Sequence, residues 1–161
     1  MRRRHIDVSA TTPAPAPAVY RLLADGSTWP RWSPMDSVEL ERPGDPPPEG
    51  VGAIRVNRRG RTTGRDRITE LVPDRRLAYE SLSGLPIREY TGVVELDEAD
   101  GATTIRWRSS FFPKVPGTGW VLECGITRFL QQCADGLAAY AGDESTRTHP
   151  ASDAEPGAPR P

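Results

Sequence analysis

Apolar and polar positions alternate over residues 4–11, and this period-two pattern predicts a strand with one buried face. Its apolar side carries Ile6, Val8 and Ala10. The pattern changes to a helical period over residues 15–24, where the apolar stripe consists of Ala16, Val19, Leu22 and Leu23. Prolines open this segment, but the first turn of a helix has no internal N–H bonds to lose. We therefore expect a strand followed by a helix.

Residues 28–35 hold two tryptophans and two prolines, which favours a short helical turn or an aromatic-anchored loop. Short alternating runs bounded by turn residues follow as far as residue 112, and they predict six further strands. These strands span residues 37–41, 51–58, 62–71, 76–82, 87–96 and 102–112. Because the connecting turns are short, the strands are expected to form an antiparallel meander.

A long amphipathic helix is predicted over residues 118–141, where apolar residues recur at spacings of three and four. Its stripe consists of Leu122, Ile126, Phe129, Cys133, Leu137 and Tyr140. Gly125 and Gly136 weaken this helix but would let it approach the sheet closely. The fold class is therefore α+β: a curved antiparallel sheet of about seven strands around one long helix, an arrangement that often leaves a cavity.

Charge and composition narrow the classes of partner. Lys+Arg total 21 against 22 Asp+Glu, a net charge of −1, so we expect no nucleic-acid partner. No apolar run is long enough for membrane insertion, and no secretory signal follows the basic start of the chain. Residues 143–161 contain four prolines but no Val, Ile, Leu or aromatic residue, which predicts a disordered tail after a single domain at residues 1–142.

The cysteines and histidines give no sign of a metal or redox centre. Cys124 and Cys133 lie nine positions apart in the predicted helix and point to opposite faces, so we expect free thiols in a reducing cytoplasm, with Cys133 toward the sheet. His5 and His149 are too far apart for a histidine-based metal site. No zinc or nucleotide-binding signature is present, and we predict no cofactor.

Candidate cavity residues follow from the alternation of the strands. The inward positions of the last three strands include Tyr79, Tyr90, Gly92, Trp107, Ser109 and Phe111. A buried tyrosine needs a partner for its hydroxyl, which a core neighbour or a bound ligand can supply. Gly92 either eases a bend or leaves room for a ligand. For Trp107, core packing and cavity lining are both open.

Arg55 is the strongest candidate for a polar functional residue in the cavity. The alternation of its strand does not decide which face is inward. If Arg55 faces inward, it must be paired, with Asp66 or Glu70 as candidates, and its guanidinium could bind a carbonyl, enolate or carboxylate. If Arg55 faces outward, it is one exposed arginine among many. Asp66 would then be an exposed partner of Arg65 or Arg67.

The order of the elements resembles the helix-grip fold of the START/Bet v 1-like superfamily, and most of all its SRPBCC polyketide cyclase/dehydrase-like branch. The resemblance covers about residues 4–141. It is carried by HIDVSATTPAPAPAVYRLLAD, TWPRWSPM, GVGAIR, RDRITELVPDRRLAYES, SGLPIREYTGVVEL and GATTIRWRSSFFPKVPGTGW. It implies a cavity between the sheet and the long helix, with Trp29 and Trp32 beside its mouth as a gate or as anchors of a short helix.

Three functions are consistent with this resemblance. The chain is a carrier of a small hydrophobic or aromatic ligand, a cofactor-independent cyclase or dehydratase, or a protein-interaction module with a vestigial cavity. In an enzyme, Arg55 with Tyr79 or Tyr90 would polarise a carbonyl, but no general base near neutral pH is evident, because His5 falls on a polar face. The expected cavity wall comprises Trp32, Arg55, Tyr79, Tyr90, Gly92, Trp107, Ser109, Phe111, Phe129 and Cys133.

Overall fold

The structure is a computed structural model that describes residues 2–148. The strands are β1 Arg4–Thr12, β2 Ser37–Arg42, β3 Ile54–Arg59, β4 Thr62–Val72, β5 Arg76–Ser83, β6 Ile87–Ala99 and β7 Ala102–Pro113. The helices are α1 Ala16–Ala24, α2 Trp29–Trp32 and α3 Gly119–Thr148, and a 3₁₀ turn at Gly26–Thr28 joins the first two. This order confirms the predicted α+β helix-grip fold.

All seven strands form one antiparallel sheet in the order β1-β7-β6-β5-β4-β3-β2. Strands β2 to β7 follow one another as the predicted meander, and β1 joins at the far end by pairing with β7 from Arg4↔Phe111 to Thr12↔Thr103. The inward residues of β1, Ile6 and Val8, are buried as the alternation predicted. The stripe predicted for α1 is buried as well.

Helix α3 covers the sheet unevenly. It packs mainly on β1 and β7 and touches α1 and α2, so it leaves the inner face of β3 to β5 largely uncovered. Close contact with α2 depends on Gly136, because an added Cβ there would lie 1.8 Å from the Trp32 carbonyl oxygen. Around Gly125 an added Cβ would meet nothing within 4 Å. A space therefore remains between the N-terminal part of α3 and the uncovered strands.

Two details of α3 differ from the sequence-based expectation. Leu130 is 1% exposed and takes a central place in the core, whereas Phe129 and Tyr140 are half-buried. The helix also continues to Thr148, so residues 143–148, expected in the tail, are helical. Residues 149–161, with His149, lie outside the described part. Within residues 2–148, no helix is long and apolar enough to cross a membrane.

Candidate functional site

A cavity of about 330 Å³ lies between the inner face of β3 to β6 and the first turns of α3. This volume is at the lower end of the range for small-molecule sites. The apolar part of its wall includes Trp29, Ile68, Leu77, Ile87, Trp107, Leu122, Ile126 and Phe129. The polar part includes Arg55, Asn57, Asp66, Tyr79, Ser81 and Tyr90. Exposed residues mark its mouth: Arg59, Thr62, Ser83, Leu85 and Val121.

Arg55 faces inward and is 4% exposed. Its Nη1 donates a hydrogen bond to the Leu23 carbonyl at 3.2 Å, and its Nη2 donates to the Ala24 carbonyl at 2.6 Å. Those carbonyls lie in the last turn of α1, where helical partners are missing. The guanidinium also lies over the Trp29 ring, 5.6 Å from its centroid. Arg55 thus ties the end of α1 to the sheet.

The carboxylate that pairs with Arg55 is Glu49, not Asp66 or Glu70. Glu49 Oε2 lies 3.2 Å from Arg55 Nη2 and also accepts a hydrogen bond from the Gly26 backbone N–H at 2.7 Å. Glu70 instead pairs with Arg76 at 3.1 Å. The predicted partners were wrong because the end of the Arg55 side chain reaches α1 and the loop before β3. That loop includes the segment PGDPPPEG, between β2 and β3.

Asp66 lies opposite Arg55 in the β3–β4 ladder and lines the cavity. It accepts a hydrogen bond from Asn57 Nδ2 at 2.5 Å and has the Ser81 hydroxyl as a second hydrogen-bonding partner. Burial raises the pKa of Asp66 to about 6, against the opposing effects of Ser81, Asn57 and the Arg55 charge. The interpretation of Asp66 as an exposed partner was therefore wrong. A carboxyl that titrates near neutral pH lies in the cavity.

Tyr79 and Tyr90 form a short polar chain with Trp107. The Trp107 Nε1–H donates to the Tyr79 hydroxyl at 3.1 Å, and the two tyrosine hydroxyl oxygens lie 3.4 Å apart. Burial raises the pKa of Tyr79 and raises that of Tyr90 to about 12, so both phenols stay protonated at neutral pH. This chain therefore offers a neutral hydrogen-bond donor at the cavity wall.

Comparison with known proteins assigns the family. Residues 3–142 match the family described as polyketide cyclase / dehydrase and lipid transport. The chain belongs to this family. Among curated proteins, no sequence matches it.

Solved structures share the fold of this polyketide cyclase/dehydrase family member at low sequence identity. The Zhui aromatase/cyclase from Streptomyces sp. R1128 superposes with a TM-score of 0.75 at 20% identity, covering 95% of this chain and 100% of its own. A START superfamily protein from Mycobacterium smegmatis gives 0.75 at 10% identity, covering 87% and 98%. Ara h 8.0201 gives 0.71 at 15% identity, covering 87% and 98%. At these identities the likeness is one of fold.

Five of the expected cavity residues of this family member lie at the wall: Arg55, Tyr79, Tyr90, Trp107 and Phe129. Gly92 does not, because an added Cβ would lie 2.3 Å from Tyr79 Cζ. This glycine makes room for the Tyr79 ring, not for a ligand. Trp32 also lies away from the cavity, since its ring packs on Trp29 and its Nε1 donates to Thr28 Oγ1 at 3.1 Å.

The other three expected wall residues belong to the packed core. Phe111 is fully buried and stacks on Tyr90, with ring centroids 6.5 Å apart. Ser109 and Cys133 are buried too, and burial raises the pKa of the Cys133 thiol to about 12. Cys124 is exposed, as expected. These residues point inward as predicted, but the wall residues in front of them take the contact with the cavity.

The expected wall did not include Asn57 or Trp29, which line the cavity, or Glu49, which pairs with Arg55. Trp29 was expected near the mouth, and it forms part of the wall, with its Nε1 donating to the Leu23 carbonyl at 3.1 Å. Asn57 shares the inward face of β3 with Arg55. In residues 2–148, no three His, Cys, Asp or Glu side chains gather closely enough to hold a metal ion.

Proposed function

We propose that this protein binds a small, mainly apolar or aromatic molecule in the cavity between the sheet and α3. The observation that carries the proposal is the cavity itself, about 330 Å³ with a wall that is aromatic and aliphatic around one polar cluster. Such a wall suits a molecule of two or three fused rings with a few polar substituents. A vestigial cavity has less support, because the core leaves this space unfilled.

The position of Gly125 allows a direct test of binding in the cavity. Gly125 lines the cavity, and nothing lies within 4 Å of an added Cβ, so a larger side chain can enter the space. We expect the Gly125→Phe variant to fold and to lose binding. The neighbouring Cys124 is exposed on the outer face of α3, and Cys124→Phe is the matched control.

Binding is measured with N-phenyl-1-naphthylamine, a neutral probe that fluoresces in apolar surroundings. The wild type and Cys124→Phe are expected to enhance its fluorescence to the same extent, and Gly125→Phe by at least tenfold less. Quenching of Trp29 and Trp107, both at the wall, provides a second readout. Equal enhancement by both variants would show that the probe binds elsewhere and would contradict the proposal.

A second candidate function is acid–base chemistry on a ketone, as in a cyclase or dehydratase. The observation that favours it is Asp66, a carboxyl with a pKa of about 6 in the same cavity as the Tyr79–Tyr90 pair. In this reaction Asp66 would take the proton from a carbon next to the ligand carbonyl, while a tyrosine hydroxyl donates to the developing enolate oxygen. Arg55 has less support in this role, because Leu23, Ala24 and Glu49 already accept from it.

Proton abstraction can be measured without knowing the natural substrate. The bicyclic ketone 2-tetralone is incubated in D₂O with the protein, and deuterium uptake next to the carbonyl is followed by NMR. An enzyme of this kind would accelerate uptake above the buffer rate, and Asp66→Asn would abolish the acceleration. Glu41→Gln, which changes an exposed carboxylate paired with Arg65, should leave it unchanged. A buffer rate with the wild type would reject this second function.

A further inference from the structure

The charged groups at the inner end of the cavity are not equally free to meet a ligand. Arg55 donates through both Nη atoms to Leu23, Ala24 and Glu49. Its remaining Nε has no acceptor but lies against the 3₁₀ turn, 3.0 Å from the position of a Cβ added to Gly26. The Arg55 charge is thus matched by Glu49 and directed toward the backbone of α1.

Asp66, in contrast, keeps capacity to accept hydrogen bonds. A carboxylate has about four lone-pair sites, and the described partners, Asn57 and Ser81, occupy two of them. Asp66 is half-buried and lines the cavity. Tyr79 and Tyr90 also line the cavity, and both are neutral phenols because burial raises the pKa of each. The inner end of the cavity therefore presents a hydrogen-bond acceptor of negative charge.

We propose that the inner end of this cavity selects neutral ligands that carry a hydroxyl, which donates to Asp66, and disfavours ligands that place a carboxylate there. This inference rests on the proposed binding function and specifies the class of ligand. A ligand carboxylate would lie beside the Asp66 carboxylate in a poorly solvated space, where like charges repel strongly. Arg59 is a cation at the mouth, where it lies over the Phe129 ring and where solvent screens its charge.

The hydroxyl would gain more at Asp66 than at a neutral acceptor. Hydrogen bonds to an ionised carboxylate are about twice as strong as those between neutral groups. A ligand of the same shape without the donor would displace solvent from Asp66 and offer no hydrogen bond in exchange. The inference is therefore tested by comparing the affinities of two ligands that share a ring system and carry either a hydroxyl or a methoxy group.

Three naphthalenes provide the test, because they share one ring system and differ in one substituent. They are 2-naphthol, 2-methoxynaphthalene and 2-naphthoate, and affinities are measured by calorimetry at pH 7.5. We expect 2-naphthol to bind about tenfold more tightly than 2-methoxynaphthalene and 2-naphthoate to bind most weakly. In Asp66→Asn, the affinity for 2-naphthol should fall toward that for 2-methoxynaphthalene, because a neutral amide oxygen is a weaker acceptor than a carboxylate, and the affinity for 2-methoxynaphthalene should hardly change. Glu41→Gln should behave as the wild type.

The outcomes separate the inference from the function on which it rests. If 2-naphthol and 2-methoxynaphthalene bind equally, or if 2-naphthoate binds most tightly, the ligand class is wrong while binding in the cavity stands. A preference for 2-naphthol that is undiminished in Asp66→Asn would also overturn the role of Asp66. If none of the three binds to the wild type, the proposed function fails and the inference fails with it.

Discussion

Arg55 and Glu49 form a buried ion pair at the end of α1, with 3.2 Å between Nη2 and Oε2 and with side chains only 5% and 15% exposed. The pair joins the last turn of α1 to two later parts of the chain, the loop before β3 and β3 itself. Arg55 forms part of the wall at the inner end of the cavity, but neither of its Nη atoms is free to contact a ligand.

Removing the arginine should therefore damage stability. We expect Arg55→Ala to lower the free energy of unfolding by about 3–5 kcal/mol, because Glu49 keeps a buried charge and two carbonyls lose their donor. Urea denaturation measures the change. Arg58→Ala is the control, since Arg58 lies on the same strand in an exposed pair with Glu39 and should change stability by less than about 1 kcal/mol. Equal effects of the two substitutions would contradict this role of Arg55.

The two glycines of α3 should respond in opposite ways to the same substitution. Gly125→Ala is expected to stabilise the protein by about 1 kcal/mol, because alanine favours the helix and its Cβ meets nothing within 4 Å. Gly136→Ala should destabilise it by about 1–3 kcal/mol, because its Cβ would lie 1.8 Å from the Trp32 carbonyl oxygen. Thermal unfolding of both variants checks the contrast. A stable Gly136→Ala variant would show that α2 can move aside without cost.

Loss of one tyrosine hydroxyl should cost more than loss of the other. Tyr79→Phe leaves the buried Trp107 Nε1–H without its acceptor. We therefore expect the free energy of unfolding to fall by about 1–3 kcal/mol. Tyr90→Phe removes a longer contact of 3.4 Å and should cost about 1 kcal/mol or less. Urea denaturation of the pair makes the comparison. A larger loss of stability in Tyr90→Phe would contradict the order proposed here for the two tyrosine hydroxyls.

Asp66 should make stability fall as pH rises through the weakly acidic range. Its pKa is about 6 in the folded protein and 3.8 when unperturbed, so the folded state binds more protons between these values. Its contribution is fully present below about pH 4, and about 1–3 kcal/mol is lost as pH rises to about 6. The groups that face it, Arg55, Tyr79 and Tyr90, do not titrate in this window.

The variant Asp66→Asn isolates this effect, because it mimics the protonated acid at every pH. The free energies of unfolding of the wild type and of Asp66→Asn are compared at intervals from pH 4 to pH 7. Relative to the variant, the wild type should lose stability steadily as pH rises. A constant difference across this range would mean that the pKa of Asp66 is ordinary in the folded protein.

Alternation along the strands was enough to predict the fold and much of the cavity wall. Tyr79, Tyr90 and Trp107 follow directly from the period of two, which fixes the face on which each side chain lies. The same reasoning could have found Asp66, since it shares a face with Ile68, whose burial is easily predicted. The run of charges around Asp66 concealed this signal.

The partner of Arg55 could not be predicted in the same way. Glu49 lies in a proline-rich loop that has no hydrophobic period, and its position depends on how that loop packs against Gly26. The alternation of the strands also could not predict how deep in the core a residue lies. Alternation says that Phe111 and Ser109 point inward, but it does not say that Tyr90 and other wall residues stand between them and the cavity.

The pairing of β1 with β7 bears on how the chain matures during synthesis. Arg4 pairs with Phe111, so β1 leaves the ribosome about 100 residues before its partner strand, an interval of roughly 5–20 s at ordinary rates of translation. Strands β2 to β6 can pair with their sequence neighbours in that time, whereas the apolar face of β1 has neither β7 nor α3 to cover it. The nascent chain therefore exposes an apolar strand that is prone to aggregate until nearly the whole domain has emerged. Chaperones would matter most at this stage.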